Sequence, residues 1–478
     1  MIAGLIIGAL FVAFVLVILI RTLKFKPKTE EKPIPEAVNV SADLAAENLS
    51  EMIKCRTVSH PDPSLDDEGE FEKFVQLLPR LFPLVHKTCS PSRVGNRALL
   101  YRWPGKTEGD PTVLMAHYDV VSVEEEKWDR APFDGLIEDG VLWGRGVIDT
   151  KGSLNGVLTA AELLIAQGFV PERDIWFAFA GDEEVNGHGA SDIVALFKEH
   201  EITPALVLDE GGAVVTKVFP GVKESCAVIG IAEKGMLNLE YSINGVGGHS
   251  SAPKPHTPVG KLSAACVRVE NHPFKYRLTP PTKQMFDTVC PYSTFFYRMI
   301  FANLWCFGPV LNLLAKKTGG QLNAVVRTTL AFTQMEGSKG INVIPPYARM
   351  CSNSRLLPGD TVESAVEYVR KTVKDDSVKV RVIGGTNPSR VSTTKCEGWD
   401  RLTDAVAATW PRAIVSPYLM TACSDARHWG VISDKVYRFS AMRLTPEENA
   451  MVHGNNERLP IEKIAETVEF YIRLMKKS

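Results

Sequence analysis

The sequence predicts an α/β protein in which a mixed sheet carries helices on both faces, with a second α+β unit inserted in the chain and an apolar helix at the N-terminus. Three observations lead there. Between about residues 41 and 234, short apolar runs alternate with segments of helical periodicity; near Gly235 a half-wet strand pattern replaces them; and Ile2 to Ile20 carries no charge.

Length supports the division. A chain of 478 residues is too long for one ordinary core, so a principal domain with an inserted or appended partner is expected. Hydrophobic residues at 45% and charged residues at 23% describe a globular chain, and a net charge of -2 gives no reason to expect nucleic acid as a partner. The nine cysteines are scattered and contain no C-x-x-C pair, which argues against a disulfide framework or a thiolate metal site and leans toward a reducing environment.

Ile2 to Ile20 is long enough to cross a bilayer as a helix. A cleaved signal peptide is the competing reading, but a basic stretch before the apolar run and a small-x-small cleavage site are missing. A single-pass anchor over residues 1–20 is therefore expected. Arg21, Lys24, Lys26 and Lys28 flank its C-terminal end, which by the positive-inside tendency would hold the rest of the chain on the cytoplasmic side. Two Asn-x-Ser sequons, at Asn39 and Asn48, would matter only in a secretory pathway, so the side stays open. Residues 21–40, rich in Lys, Glu and Pro, read as a tether.

The first part of the principal domain is expected over 41–234. Thr112 to Ala116 and Ile175 to Ala180 read as buried strands, and Leu154, Val157, Leu158, Ala161, Leu164 and Ile165 fall at helical spacing. The inserted unit is placed at 235–384. It opens with Leu237, Leu239, Tyr241 and Ile243 alternating with polar residues, continues through a helix over 361–374 and a strand over 378–383, and ends at the Gly384-Gly385-Thr386-Asn387-Pro388 break. Residues 385–478 then return to the first domain. Phe295 to Leu314 is strongly apolar but interrupted by Arg298, Asn303, Gly308 and Pro309, so helices packed on their own domain are favoured over a greasy substrate groove or a second span.

The chemistry-bearing residues stand where strands end and loops begin, the usual place for functional groups in α/β sheets. His117-Tyr118-Asp119 could set one residue on a metal and the other behind it, or could be a surface strand terminus. Asp149, in the glycine-rich run from Gly144 to Gly152, could be a ligand or a helix N-cap. Asp182-Glu183-Glu184 crowds three carboxylates that repel unless a cation compensates, or forms a solvated acidic loop. Asp209-Glu210 follows another apolar strand, and His453-Gly454 lies in a polar segment near the C-terminus. Five His and carboxylate ligands suit two divalent ions, zinc first, with Co2+ or Mn2+ as alternatives.

In their order along the chain these motifs resemble the metallopeptidase family that includes aminoacylases, succinyl-diaminopimelate desuccinylase, carboxypeptidase S and N-fatty-acyl-amino acid synthase/hydrolases. The resembling segments are His117-x-Asp119, Gly146-x-x-Asp149-x-Lys151-Gly152, Asp182-Glu183-Glu184, Asp209-Glu210-Gly211 and His453-Gly454. The resemblance implies a phosphorylase/hydrolase-like catalytic domain and a ferredoxin-like lid and dimerisation domain. It implies that Asp149 bridges two metals, with His117 and Asp209 completing one site and Glu184 and His453 the other. Asp119 would orient His117, Glu183 would act as general base, and the Asp149-Thr150 bond would be cis. His249 would reach an oxyanion, across a dimer interface in some relatives; Asn342 and Arg355, with Arg427 as a weaker candidate, would grip a substrate carboxylate. The long apolar insert and Pro345-Pro346 resemble the carboxypeptidase S and fatty-acyl-amino acid hydrolase branch. The expected activity is hydrolysis of an N-acyl amino acid, with a short-peptide carboxypeptidase second. An inactive, membrane-tethered binding protein ranks lower, since Glu183 and the five ligand positions are present.

Overall fold

The computed structural model describes residues 2–27, 36–217 and 221–478. Lys28 and the middle of the expected tether lie outside the described residues. An eight-stranded mixed sheet forms the centre, in the order Ser92–Val94, Ala98–Trp103, Ile175–Ala180, Thr112–His117, Leu206–Val215, Val436–Leu444, Cys226–Glu233, Ile414–Met420. Its middle strands are near-continuous apolar runs because helices cover both faces. Lys151–Ala166 packs with Ile461–Met475 on one face, and Gly189–Glu199 with Trp429 on the other. Gly156 permits the first of these packings: a Cβ there would stand 2.6 Å from Thr467 and 3.0 Å from Tyr471.

Parallel register sets the functional edge. His117 pairs with Ala180, and Leu114 with Leu208, so the segments after these three strands leave the sheet side by side. The last segment returns through Arg458–Pro460, which pairs with Val141–Trp143 and brings the loop bearing His453 against the loop bearing Asp149.

The inserted unit is a four-stranded antiparallel sheet in the order Thr329–Glu336, Tyr347–Leu356, Gly235–Asn244, Lys379–Thr386. Helices Pro258–Asn271 and Val362–Val373 pack on it around Leu237, Leu239, Tyr241, Leu262 and Val369. The expected break over Gly384 to Pro388 falls at the end of that run. The strand absorbs an irregularity between Val382 and Gly384, stays paired as far as Thr386, and breaks at Asn387-Pro388. Beside this unit, Phe295–Ala302 and Leu304–Thr318 form two helices bent by 114°. Their inner residues, among them Leu311 and Ala315, join a cluster with Met285 and Phe286 against the edge of the large sheet.

The N-terminal helix, Ile2–Lys24, is long and apolar enough to cross a membrane and buries only Ile18 and Thr22. All nine cysteines are free thiols.

Candidate metal centre

His117 ends a fully buried strand, and its ring is fixed by the chain that follows: Nδ1 lies 2.9 Å from the Asp119 carbonyl oxygen. This leaves Nε2 facing Asp149 Oδ1 at 3.1 Å, with Glu210 Oε1 at 3.8 Å. Asp149 turns its other oxygen to the C-terminal loop, where Oδ2 lies 3.0 Å from His453 Nε2; His453 Nε2 is also 3.1 Å from Glu184 Oε2. One carboxylate thus joins two imidazoles drawn from opposite ends of the domain. The Asp149-Thr150 peptide bond is cis.

The three acids of Asp182-Glu183-Glu184 separate. Asp182 turns back to accept the amides of His188 and Gly189. Glu183 and Glu184 turn toward the imidazoles, their own amides bonded to the two oxygens of Asp119. Among the described residues, two groups of side chains bring potential ligand atoms within 4.8 Å of one another: His117, Asp149 and Glu184, and His117, Glu183 and Glu210.

Electrostatics mark the same place. Burial, with Asp425, Glu184 and Asp119 nearby, pushes the Glu183 carboxyl well above the usual range against the pull of His117. Burial and Asp149 do the same to Glu210, and burial and Asp209 push Asp425 up to about 8. Hydrogen bonds to Asp149 and Glu184 raise the His453 imidazole to about 10. A buried excess of carboxylates around two imidazoles is a charge distribution that divalent cations relieve, and its nitrogen and oxygen donors suit zinc, cobalt or manganese. The residues therefore fit a metal centre.

Residues 113–477 match the family model described as peptidase family M20/M25/M40. The chain belongs to this family. It is 35% identical to the probable carboxypeptidase S-like 2 of Dictyostelium discoideum over 98% of this chain and 93% of that protein. It is 32% identical to the N-fatty-acyl-amino acid synthase/hydrolase of Xenopus tropicalis, again over 98% of this chain and 93% of that protein. The fold is that of an M20 family metallo-carboxypeptidase from Sulfolobus solfataricus, with a TM-score of 0.65 at 17% identity over 90% of this chain and 98% of that one. As an M20 chain it is an enzyme that hydrolyses amide or peptide bonds, in a family that depends on metal.

The other expected residues lie apart from this cluster or face it differently. Asp209 Oδ2 accepts the Ala426 amide at 2.7 Å, and Asp209 belongs to neither group of converging ligand atoms. His249 is exposed on a two-stranded ribbon, where it pairs with Val343; Asn342, next to Val343, accepts the Ser250 amide. Residues 93 apart in the chain are thereby neighbours. Arg355 directs one guanidinium nitrogen at Cys423 Sγ, 3.4 Å away. Arg427 hydrogen-bonds the Ser424 carbonyl and lies 3.8 Å from Asp425, an ion pair within its own turn.

Two further groups stand near the centre. Glu210, expected only as part of the Asp209-Glu210 segment, lies 3.8 Å from His117 Nε2. Glu457, fully buried, accepts the amides of Gly146, Ile148 and Asp149 and pairs with Arg145 at 2.8 Å, so it ties the Asp149 loop to the His453 loop. Its place four residues after His453 puts it near the centre in sequence but gives no sign of its burial.

Proposed function

We propose that the chain hydrolyses the amide bond of N-acyl amino acids, including those with fatty acyl groups, and reverses the reaction when the products are abundant. The observation that carries this reading is the division of Asp149 between His117 and His453, with Glu183 half-buried beside His117. His117, Asp149, Glu184 and His453 would hold two divalent ions, zinc first among them. For the fifth ligand, the approach of Glu210 to His117 favours Glu210 over the expected Asp209. When bound, the ions would supply Lewis acidity and lower the pKa of water. Glu183 takes the proton of the attacking water and passes it to the leaving amine, a role suited to a carboxyl whose environment raises its pKa. Asp119 holds Glu183 and His117 in place.

Arg355 and Asn342 grip the substrate carboxylate in this reading, with Arg427 in support. The inserted unit acts as lid and dimerisation domain, so that His249, exposed on its ribbon, serves the site of a second copy. The N-terminal helix is retained as a membrane anchor. Its support is polar: Asn303 Nδ2 donates to the Ile18 carbonyl and to Thr22 Oγ1, and the Arg21 guanidinium donates to the Ala302 carbonyl. A leader removed by cleavage would take these partners away and leave Asn303 Nδ2 with the Met299 carbonyl alone.

The name of the Dictyostelium relative favours a second reading, a carboxypeptidase on short peptides. The zinc-loaded protein assayed side by side on a long-chain N-acyl amino acid and a glycyl dipeptide separates the two. Preference for the acyl substrate is expected; preference for the dipeptide would overturn the first reading.

A further inference from the structure

The two helices bent at 114° are built inside out. Leu311 and Ala315 face the domain, whereas Phe295, Phe296, Trp305, Val310 and Leu313 are exposed, the last three along one outer stripe of Leu304–Thr318. Contiguous apolar surface of this kind marks an interaction site. Lys316 and Lys317 lie exposed in the last turn of the same helix.

Contacts with the N-terminal helix identify what covers this surface. Phe14 and Trp305 meet edge to face with centroids 5.7 Å apart. Asn303, fully buried at the bend, hydrogen-bonds Ile18 and Thr22. Phe14 lies seven residues from Arg21 in the same helix, about 10 Å along its axis at 1.5 Å per residue. If Arg21 stands at the membrane surface, Trp305 lies below it, within the depth of about 5–10 Å that interfacial helices reach.

We propose that the Phe295–Thr318 elbow is a membrane-docking surface, embedded in the same bilayer leaflet as the C-terminal half of the N-terminal helix. The occupant is lipid, and the proposal rests on the reading of Ile2–Lys24 as an anchor. A single spanning helix would let the enzyme swivel. The buried Asn303 clamp and the elbow give it one orientation, with its apolar stripe in acyl chains and Lys316 and Lys317 available to headgroup phosphates.

The full chain in phosphatidylcholine vesicles supplies the test. Resistance to alkaline carbonate extraction is expected; release would overturn the anchor and the elbow together. With the phosphatidylcholine then exchanged for its dibrominated acyl-chain form, tryptophan emission should be quenched more in the wild type than in Trp305→Phe. The pair Phe296→Ser and Leu313→Ser should also lose quenching while hydrolysis of a water-soluble short-chain substrate is unchanged. Equal quenching of wild type and Trp305→Phe in a chain that resists extraction would overturn the elbow and leave the anchor standing.

Discussion

Asp119 Oδ2 accepts the backbone amide of Glu184 at 3.1 Å, and through its other oxygen the same carboxylate accepts the amide of Glu183. The Ser59 hydroxyl also donates to Oδ2, at 2.6 Å, and His117 Nδ1 lies 3.4 Å from Oδ1. The Asp119 carboxylate therefore sets the turn that separates Glu183 from Glu184, while its backbone carbonyl holds the ring of His117. We expect Asp119→Asn, which offers one acceptor oxygen in place of two, to lower metal affinity or kcat by about 10–100-fold. Calorimetric zinc titration and steady-state kinetics check this; wild-type values for both would remove Asp119 from the positioning role.

Glu183 and Glu184 make a paired test because they are adjacent and are assigned different work. Glu183→Gln should lower kcat by about 10²–10⁴-fold, the usual contribution of a general base, and leave metal content unchanged. Glu184→Gln should lose metal, since Glu184 faces His453 at 3.1 Å. Metal content by mass spectrometry, read beside kcat, distinguishes the two. Loss of metal in both variants would mean that both are ligands.

Arg145 and Glu457 are buried together, and Glu457 also holds three amides of the loop that presents Asp149. Removing one member leaves the other charged and unpaired in the interior, a loss of about 3–5 kcal/mol. We expect Glu457→Ala to unfold at markedly lower denaturant concentration and, where folded, to bind zinc more weakly. Nothing in the pattern of residues 452–458 separates a buried Glu from a solvated one. Its burial comes from the pairing of Arg458–Pro460 with Val141–Trp143, a contact across more than 300 residues.

The same limit explains which parts of the site were legible. Thr112–His117 and Ile175–Ala180 were visible as strands because both faces are covered, and His117, Asp149, Glu184 and His453 followed from motif order. Asp209 and Glu210 were harder. Pairing with Val436–Leu444 is irregular between Asp209 and Gly212, so strand alternation does not say which of the two carboxylates turns to His117, and both lie in its field. We expect Glu210→Gln to lower the bound zinc stoichiometry. Asp209→Asn, whose side chain faces the Ala426 amide, should alter stability first. The reverse outcome would restore Asp209 as the ligand.

Lys234, at the crossing into the inserted unit, gives a pH test independent of metal. Its ammonium is buried and donates to the Ala324 and Arg327 carbonyls, and burial, with Arg355 nearby, draws its pKa down to about 7. Below that pH both folded and unfolded chains hold the proton and the penalty for a buried charge is fully present. Above it the folded chain releases the proton while the unfolded chain keeps it, up to the ordinary lysine range near 10, so this group makes stability rise with pH over that window. Lys234→Met removes the titration but leaves the two carbonyls without their donor, so the sign of its effect at one pH is not diagnostic. The slope is. The difference in Tm, variant minus wild type, should fall steadily from about pH 6 to about pH 10, and a difference that stays flat would show that Lys234 keeps an ordinary pKa.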